Sequence, residues 1–458
     1  MLNEPGSPKT GKGLQFAYGA GAFGALLCFA PVPLLLLYYL TEFAGISPAV
    51  AGIILAIPKF FDLLLDPWIG RTTDRFAAAY RSRAVVILLS SLVLPLSLIV
   101  LFAPFRGPLW MLVLVYAALL VVQSYLITAF SVAHTGLAGD LSEHAETRAS
   151  LFASRAFGSA IAGLAVSAGA PVLISAFGGK NSGYLAMSLL LAVFSASGLL
   201  WCYRMTRGTA LNLHVASASG MERASEKASL WQSLRGTFNN RSFYAVALML
   251  VLIGTGTTCF LALLPYVNKY ILVGAADHLA VLLVPIFVAL LVGVTLAPGL
   301  LRRLGQVRAI ACGFFAAASG MLVFWSGLWQ ASQVLLVSGC IVFGLGSGMM
   351  TVLISAAAMQ VAMAGLSGST PLGLYLGILF SAEKLGQSGG GILAGAGLSL
   401  VGAPAGAGIL NPQSAAQLGL LTILVPLSMF LICLIVLSLV AAGLKRSGPV
   451  NDANVVLP

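Results

Sequence analysis

The sequence predicts an all-α integral membrane protein with twelve transmembrane helices, and three observations carry that expectation. The 458 residues are 59% hydrophobic and only 8% charged, with a mean hydropathy of +1.00, whereas a soluble domain carries about 25% charged residues. Long apolar runs recur along the chain, most of them near the roughly 20 residues that cross a bilayer as helix. The Lys and Arg residues collect in alternate gaps between those runs.

In chain order the first six runs are Leu14–Leu40, Pro48–Gly70, Ala84–Ala103, Leu109–Val132, Leu151–Leu173 and Tyr184–Tyr203. The second six are Phe243–Tyr266, Leu279–Leu300, Ala309–Trp325, Val334–Ala357, Leu372–Val401 and Leu418–Leu444. The first run is too long for a signal-peptide core and lacks a convincing cleavage site, so it reads as retained. Of 24 Lys and Arg residues, 18 fall on one side of this arrangement. Only Arg106, Lys180 and Lys269 fall on the other, and Lys59, Arg155 and Lys384 lie within spans or close to their ends. Basic loops face the cytoplasm, so both termini are expected there, in a bacterial inner membrane. The net charge of +11 is then topology and contact with membrane lipids, not nucleic-acid binding. Six scattered cysteines form no CxxC and no metal spacing, and read as packing residues.

The chain divides once. Residues 1–203 are expected to form one six-helix bundle, 204–241 a polar cytoplasmic linker, 242–446 a second bundle, and 447–458 a cytoplasmic tail. Six spans on each side of a long linker is the major facilitator pattern, in which two halves rock about a midplane site. The stretch Gly70-Arg71-Thr72-Thr73-Asp74-Arg75 resembles the loop signature of that superfamily. Its counterpart, Gly299 to Gly305, lacks the acid. Gly70, Asp74 and Arg75 are therefore candidates for a cytoplasmic gate.

The most informative residues lie inside the second span. Asp62 and Asp66 stand four apart, with Lys59 one turn before them. Helical spacing puts such positions on one face. A charge at mid-bilayer costs about 3 kcal/mol or more, so intramembrane carboxylates are functional candidates. A pair of this kind holds a cation or shares a proton. Two nucleotide-like motifs fail on context. Gly6 to Gly13 nearly matches a phosphate loop but lacks the final hydroxyl and a preceding strand. Gly19-Ala-Gly21-Ala-Phe-Gly24 matches GxGxxG inside the first span, where glycines serve helix packing.

Several segments together resemble the glycoside–pentoside–hexuronide:cation symporters, the melibiose permease family. They are Tyr18 to Gly24, Asp62 to Pro67 with Gly70 to Arg75, Ala133 to Asp140, Arg148 to Arg155, and Glu383-Lys384-Leu-Gly386-Gln387 to Gly390. The resemblance implies that Asp62 and Asp66 bind the coupling cation and that Lys59 balances them while the site is empty. It implies that Arg155 links the site to substrate and that Lys384 faces the cavity from the second half, pairing with the aspartates. Glu383 completes a nearly neutral set but points about 100° from Lys384. Asp140 joins the gate candidates. Tyr18, Tyr125, Thr128, Gln387 and Tyr375 are the candidate cavity residues, while Tyr38, Tyr39 and Tyr266 read as interfacial belt residues. His134 reads as a hydrogen-bonding helix residue.

Departures from the family shape the expectation. Leu26 and Ala129 stand where melibiose-type members carry sugar-binding carboxylates. Leu65 replaces an amide beside the second aspartate, and Leu126 replaces a hydroxyl in the fourth span, although Thr128 is close. Sodium wants several oxygens and a proton needs one carboxylate, so protons are favoured over sodium. If sodium couples, Asp62 and Asp66 are the metal ligands. Pro67 is expected to disfavour regular helix beside the site. The expected function is cation-coupled symport of a sugar or glycoside-like solute by a monomer. The alternatives are the same fold moving an amphipathic or lipid-like solute, or a non-transporting receptor or scaffold. No catalytic constellation is present, so neither enzyme activity nor a cofactor beyond the coupling ion is expected.

Overall fold

The computed structural model describes residues 12–141, 145–208, 241–274, 276–364, 372–403 and 410–446. The stretch Gly6 to Gly11, most of the linker and the tail at 447–458 lie outside the described residues. Those described form twelve long helices: α1 (Lys12–Glu42), α2 (Pro48–Ala79), α3 (Ala84–Leu101), α4 (Leu109–Leu141), α5 (Ala145–Ala176), α6 (Asn181–Thr206), α7 (Arg241–Tyr270), α8 (His278–Leu304), α9 (Gln306–Trp329), α10 (Gln333–Ala364), α11 (Leu372–Leu400) and α12 (Pro412–Arg446). Among the described residues, ten spans are long and apolar enough to cross a membrane. α2 carries Lys59, Asp62 and Asp66, and α11 carries Glu383 and Lys384.

Helix throughout is what hydrocarbon demands, because each backbone polar group must find its partner inside its own segment. Pro95, Pro171, Pro265 and Pro426 sit inside helices. Around Pro31 and Pro33 the backbone of α1 widens into a π-helical turn over Val32–Leu36. α2, by contrast, runs without interruption through Pro67, where the sequence suggested irregular helix. Two further expectations are corrected. The stretch Gly70 to Arg75 is helical rather than a loop, because α2 continues to Ala79. Ala133 to Asp140 is likewise the last part of α4. Helices extend past the hydrocarbon because water tolerates their polar final turns.

Two compact units form. The first holds residues 1–224, 258–287 and 388–422, and the second 225–257, 288–387 and 423–458. Four of the five boundaries between them run through helices.

In the first unit, α1 is seated by its glycines. A Cβ at Gly19 would lie 2.6 Å from the Ser154 carbonyl oxygen, one at Gly21 2.8 Å from Cys202 Sγ, and one at Gly24 2.6 Å from the Ser195 carbonyl oxygen. The GxGxxG stretch is thus a packing surface against α5 and α6. At one end of this unit the segments after α1, α3, α5 and α7 meet. Tyr39 donates its hydroxyl to the Phe102 carbonyl at 3.0 Å, and Tyr184 packs on both Tyr39 and Phe43 at 5.1 Å between ring centroids. Tyr39 and Tyr266 are therefore buried cluster residues, not belt residues, because partner hydroxyls and carbonyls inside the protein satisfy them. In the second unit α9 packs on α10 through Gly320 and Gly339, against the backbones of Phe343 and Phe324. α11 meets α7 where Thr255 donates to the Gly386 carbonyl at 3.0 Å.

Gly19→Val should destabilise the protein by about 1–3 kcal/mol, the usual cost of forcing atoms into a packed interface. A fall in the thermal midpoint in detergent checks it; an unchanged midpoint would show that α1 and α5 are not packed at Gly19.

Candidate functional site

Asp62 lies near the middle of α2 and is buried. Its exposure is 4%. Two partners come from named neighbours. Ser124 of α4 donates its hydroxyl to Asp62 Oδ1 at 2.6 Å. Lys59 of α2 places Nζ 3.9 Å from Asp62 Oδ2, as the i,i+3 spacing dictates. The same ammonium stands 5.3 Å from the centre of the Phe29 ring of α1, within the reach of a cation–π contact. A hydrogen bond to a charged group contributes about 1.5–3 kcal/mol, so Ser124 and Lys59 together keep the carboxylate tolerable without water.

The expectation that the fourth span denies oxygens to the aspartate is corrected here. Ser124 supplies one, a full turn before Thr128. The signal was available: Ser124 neighbours Gln123 and Tyr125, and only the choice of register between helices hid it. Asp66 stands one turn after Asp62 in the same continuous helix. The side chains of Asp66, Gly70, Asp74, Arg75 and Tyr375 lie outside the described residues.

Phe29 has a second role. It lines a cavity of about 160 Å³ with Leu26, Ile127, Phe130, Ser131, Ser159 and Arg155. Arg155 lies inside α5, near the end of its third turn. Its guanidinium donates to Ser131 Oγ at 2.8 Å and to Thr135 Oγ1. One ring thus separates the Lys59–Asp62 pair from the Arg155 cavity. The cavity is small beside the roughly 300–1,000 Å³ of ordinary ligand pockets, so it takes only part of a solute.

The remaining candidates divide. Tyr125 is half-buried and shares a hydrogen bond with Thr72 Oγ1 at 3.1 Å. Thr128 is half-buried on the same helix. Tyr18, expected in the cavity, is fully buried instead. It stacks on His134 at 3.9 Å between ring centroids, and its hydroxyl donates to the His134 carbonyl at 2.6 Å. Close packing of α1 on α4 leaves it no face toward a solute. His134 returns a contact from Nε2 to the Tyr18 carbonyl at 3.0 Å, in keeping with a hydrogen-bonding residue. Asp140 pairs with Arg83 at 3.1 Å, tying the end of α4 to the start of α3. Lys384 and Gln387 are half-buried and Glu383 exposed, all on α11 in the second unit. Among the described residues no group of three or more His, Cys, Asp or Glu is placed to hold a metal ion.

The fold is that of a major facilitator transporter. Over 96% of this chain and 98% of the other it matches a bacterial homologue of the lysosomal transporter Spinster, with a TM-score of 0.65 at 13% identity. It also matches PepTSo2 over 95% and 99%, with a TM-score of 0.67 at 15% identity. The family model described as MFS/sugar transport protein matches residues 17–441, and the chain belongs to that family, the glycoside–pentoside–hexuronide group. An uncharacterised symporter of Bacillus subtilis is 24% identical over 85% of this chain and 83% of its own. The glucuronide carrier protein homolog of Escherichia coli is 24% identical over 82% and 80%. The isoprimeverose transporter of Lactiplantibacillus pentosus is 22% identical over 88% and 82%. The protein is accordingly a multi-pass membrane transporter of a small solute and not an enzyme.

Ser124→Ala should lower gradient-driven uptake about tenfold or more, since a hydrogen bond to a charge contributes about 1.5–3 kcal/mol and 1.4 kcal/mol is tenfold. Ser124→Thr should retain most of it. Initial uptake rates in vesicles check both; equal rates in all three proteins would remove Ser124 from the site.

Proposed function

We propose that the protein is a cation-coupled symporter of a sugar or glycoside-like solute working by alternating access, with a proton as the coupling ion. The observation that carries the reading is the Asp62 carboxylate, buried and held between Ser124 and Lys59. A group in that position exchanges its partners cheaply only if a cation takes the place of one of them. A proton arriving on Asp62 neutralises it and frees Lys59. Phe29, which adjoins both the Lys59 ammonium and the Arg155 cavity, is the residue through which the change would reach the cavity.

Arg155 presents a planar set of donors, which suits a carboxylate or paired hydroxyls. A carboxylated sugar fits that chemistry, and one relative is named a glucuronide carrier homolog. Leu26, Phe29, Ile127 and Phe130 make the rest of the cavity apolar, which favours a solute with an apolar face, such as an aryl glycoside. Asp66 belongs to the same proposed cation site, and both chain termini to the cytoplasmic side by the distribution of Lys and Arg.

Sodium is the second reading, and Ser124 favours it. A hydroxyl 2.6 Å from a carboxylate oxygen is the kind of oxygen pair from which a sodium site is built. Against it stands the need for several more oxygens where Leu65 and Leu126 are placed in the sequence.

Asp62→Asn and Asp66→Asn should each abolish uphill accumulation in proteoliposomes, because an amide cannot load and release a charge in a cycle. The parent protein, supplied with a panel of labelled glycosides and glycuronides, should accumulate solute along a pH gradient. Exchange of sodium for choline at fixed pH should leave that uptake unchanged. Survival of accumulation in both variants would refute the coupling site, and a several-fold loss in choline would transfer the role to sodium.

A further inference from the structure

We propose that Glu42, Lys269 and Tyr270 form a latch that closes the solute route at the membrane face opposite the basic loops. The inference rests on the alternating-access reading and adds to it a device that opening must break.

Glu42 is the last residue of α1, and Lys269 and Tyr270 end α7. All three lie in the first compact unit. Lys269 Nζ pairs with Glu42 Oε2, and the Tyr270 hydroxyl donates to Glu42 Oε1 at 2.5 Å. Lys269 also lies 3.2 Å from the Tyr270 hydroxyl and 4.5 Å from the centre of its ring. One turn earlier, Thr41 and Tyr266 share a hydrogen bond of 2.6 Å. The first and seventh helices, from opposite halves of the sequence, are therefore joined through two successive polar contacts.

The chemistry of each group makes the joint directional. A carboxylate at a helix C-terminus meets the negative end of the helix dipole, so Glu42 is poorly placed on α1 alone. Lys269 is favoured at its own helix end and supplies the compensating charge. The Glu42 side chain is 2% exposed and that of Lys269 28%. Separating them leaves a buried carboxylate uncompensated unless water enters with the separation. The closed arrangement is thus stable as a pair and unstable with either member removed.

Two neighbouring features give the latch something to close and a place to bend. Lys269 borders a cavity of about 470 Å³, together with Tyr38, Ser175, Tyr184, Asn268 and Leu279. The π-helical turn at Val32–Leu36 separates Glu42 from the part of α1 that carries Phe29, and such turns mark local adjustments in helices. α2, which begins at Pro48 soon after Glu42, meets α11 closely: a Cβ at Gly395 would lie 2.3 Å from the Pro48 carbonyl oxygen, and Ser399 Oγ accepts from the Ala49 N–H at 3.0 Å.

The test uses Leu279→Cys, a buried cavity-lining position, in the full-length protein. Its labelling by a membrane-impermeant maleimide is read against the background of the six native cysteines. Removing one member of a buried pair costs several-fold more than the 1.4 kcal/mol that equals tenfold. Labelling should therefore rise about tenfold or more in Lys269→Met and less steeply in Glu42→Gln, because Glu42 is the more deeply buried charge. The exchange Glu42→Lys with Lys269→Glu should return it toward the parent rate, which a merely unfolded protein would not do. Unchanged labelling in both single variants, or labelling in the exchanged pair as fast as in the singles, would overturn the latch. No solute or ion gradient enters this assay, so its failure leaves the coupling reading standing, and loss of coupling leaves the latch standing.

Discussion

A carboxylate surrounded by hydrocarbon must find its hydrogen bonds and its counter-charge inside the protein, and the placement of Asp62 obeys that constraint at every level. The i,i+3 relation to Lys59 is set within one helix. The contact with Ser124 requires α4 to lie against α2 in one register. The ammonium of Lys59 in turn needs a face of low polarity that still attracts a cation, and the Phe29 ring of α1 provides it. Three helices are thereby fixed around one ionisable group, and the glycines of α1 allow the close approach to α5 that brings the Arg155 cavity alongside.

The same constraint governs another buried carboxylate of the first unit. Glu42 sits at a helix end, where the dipole opposes it, and is matched by Lys269 and Tyr270 from a helix far away in sequence. Asp62 and Glu42 differ in what can relieve them. Asp62 has a hydroxyl and a lysine within its own neighbourhood, so a proton or cation can replace a partner without moving helices. Glu42 depends on a contact between helix ends, so its relief requires those ends to part. On the proposed reading one is a loading site and the other a closure, and the separation of the two roles follows from where the partners come from.

Much of this was legible in the sequence because lipid leaves few choices. Hydropathy alone marked every long helix near its place, and the Asp62–Asp66 spacing with Lys59 marked a candidate site, of which the structure describes the Lys59–Asp62 pair. Helix ends were less legible: Gly70 to Arg75 reads as a loop by its charges, yet helix hydrogen bonds continue beyond the hydrocarbon. Register between helices was not legible at all. Ser124 lies two residues from Leu126 and four from Thr128, Tyr18 reads as a cavity residue by composition yet is buried, and the Glu42–Lys269 pair spans 227 positions. Such partners are set by three-dimensional packing, and no periodicity in a single chain announces them.

The central claim, that Asp62 loads the coupling proton, is tested most directly by proton movement itself. Solute added to de-energised, lightly buffered proteoliposomes should draw protons inward with it and make the outer medium more alkaline. In Asp62→Asn that signal should vanish while exchange of labelled for unlabelled solute across the same membranes continues. Solute-driven alkalinisation that persists at the parent rate in Asp62→Asn would contradict the account.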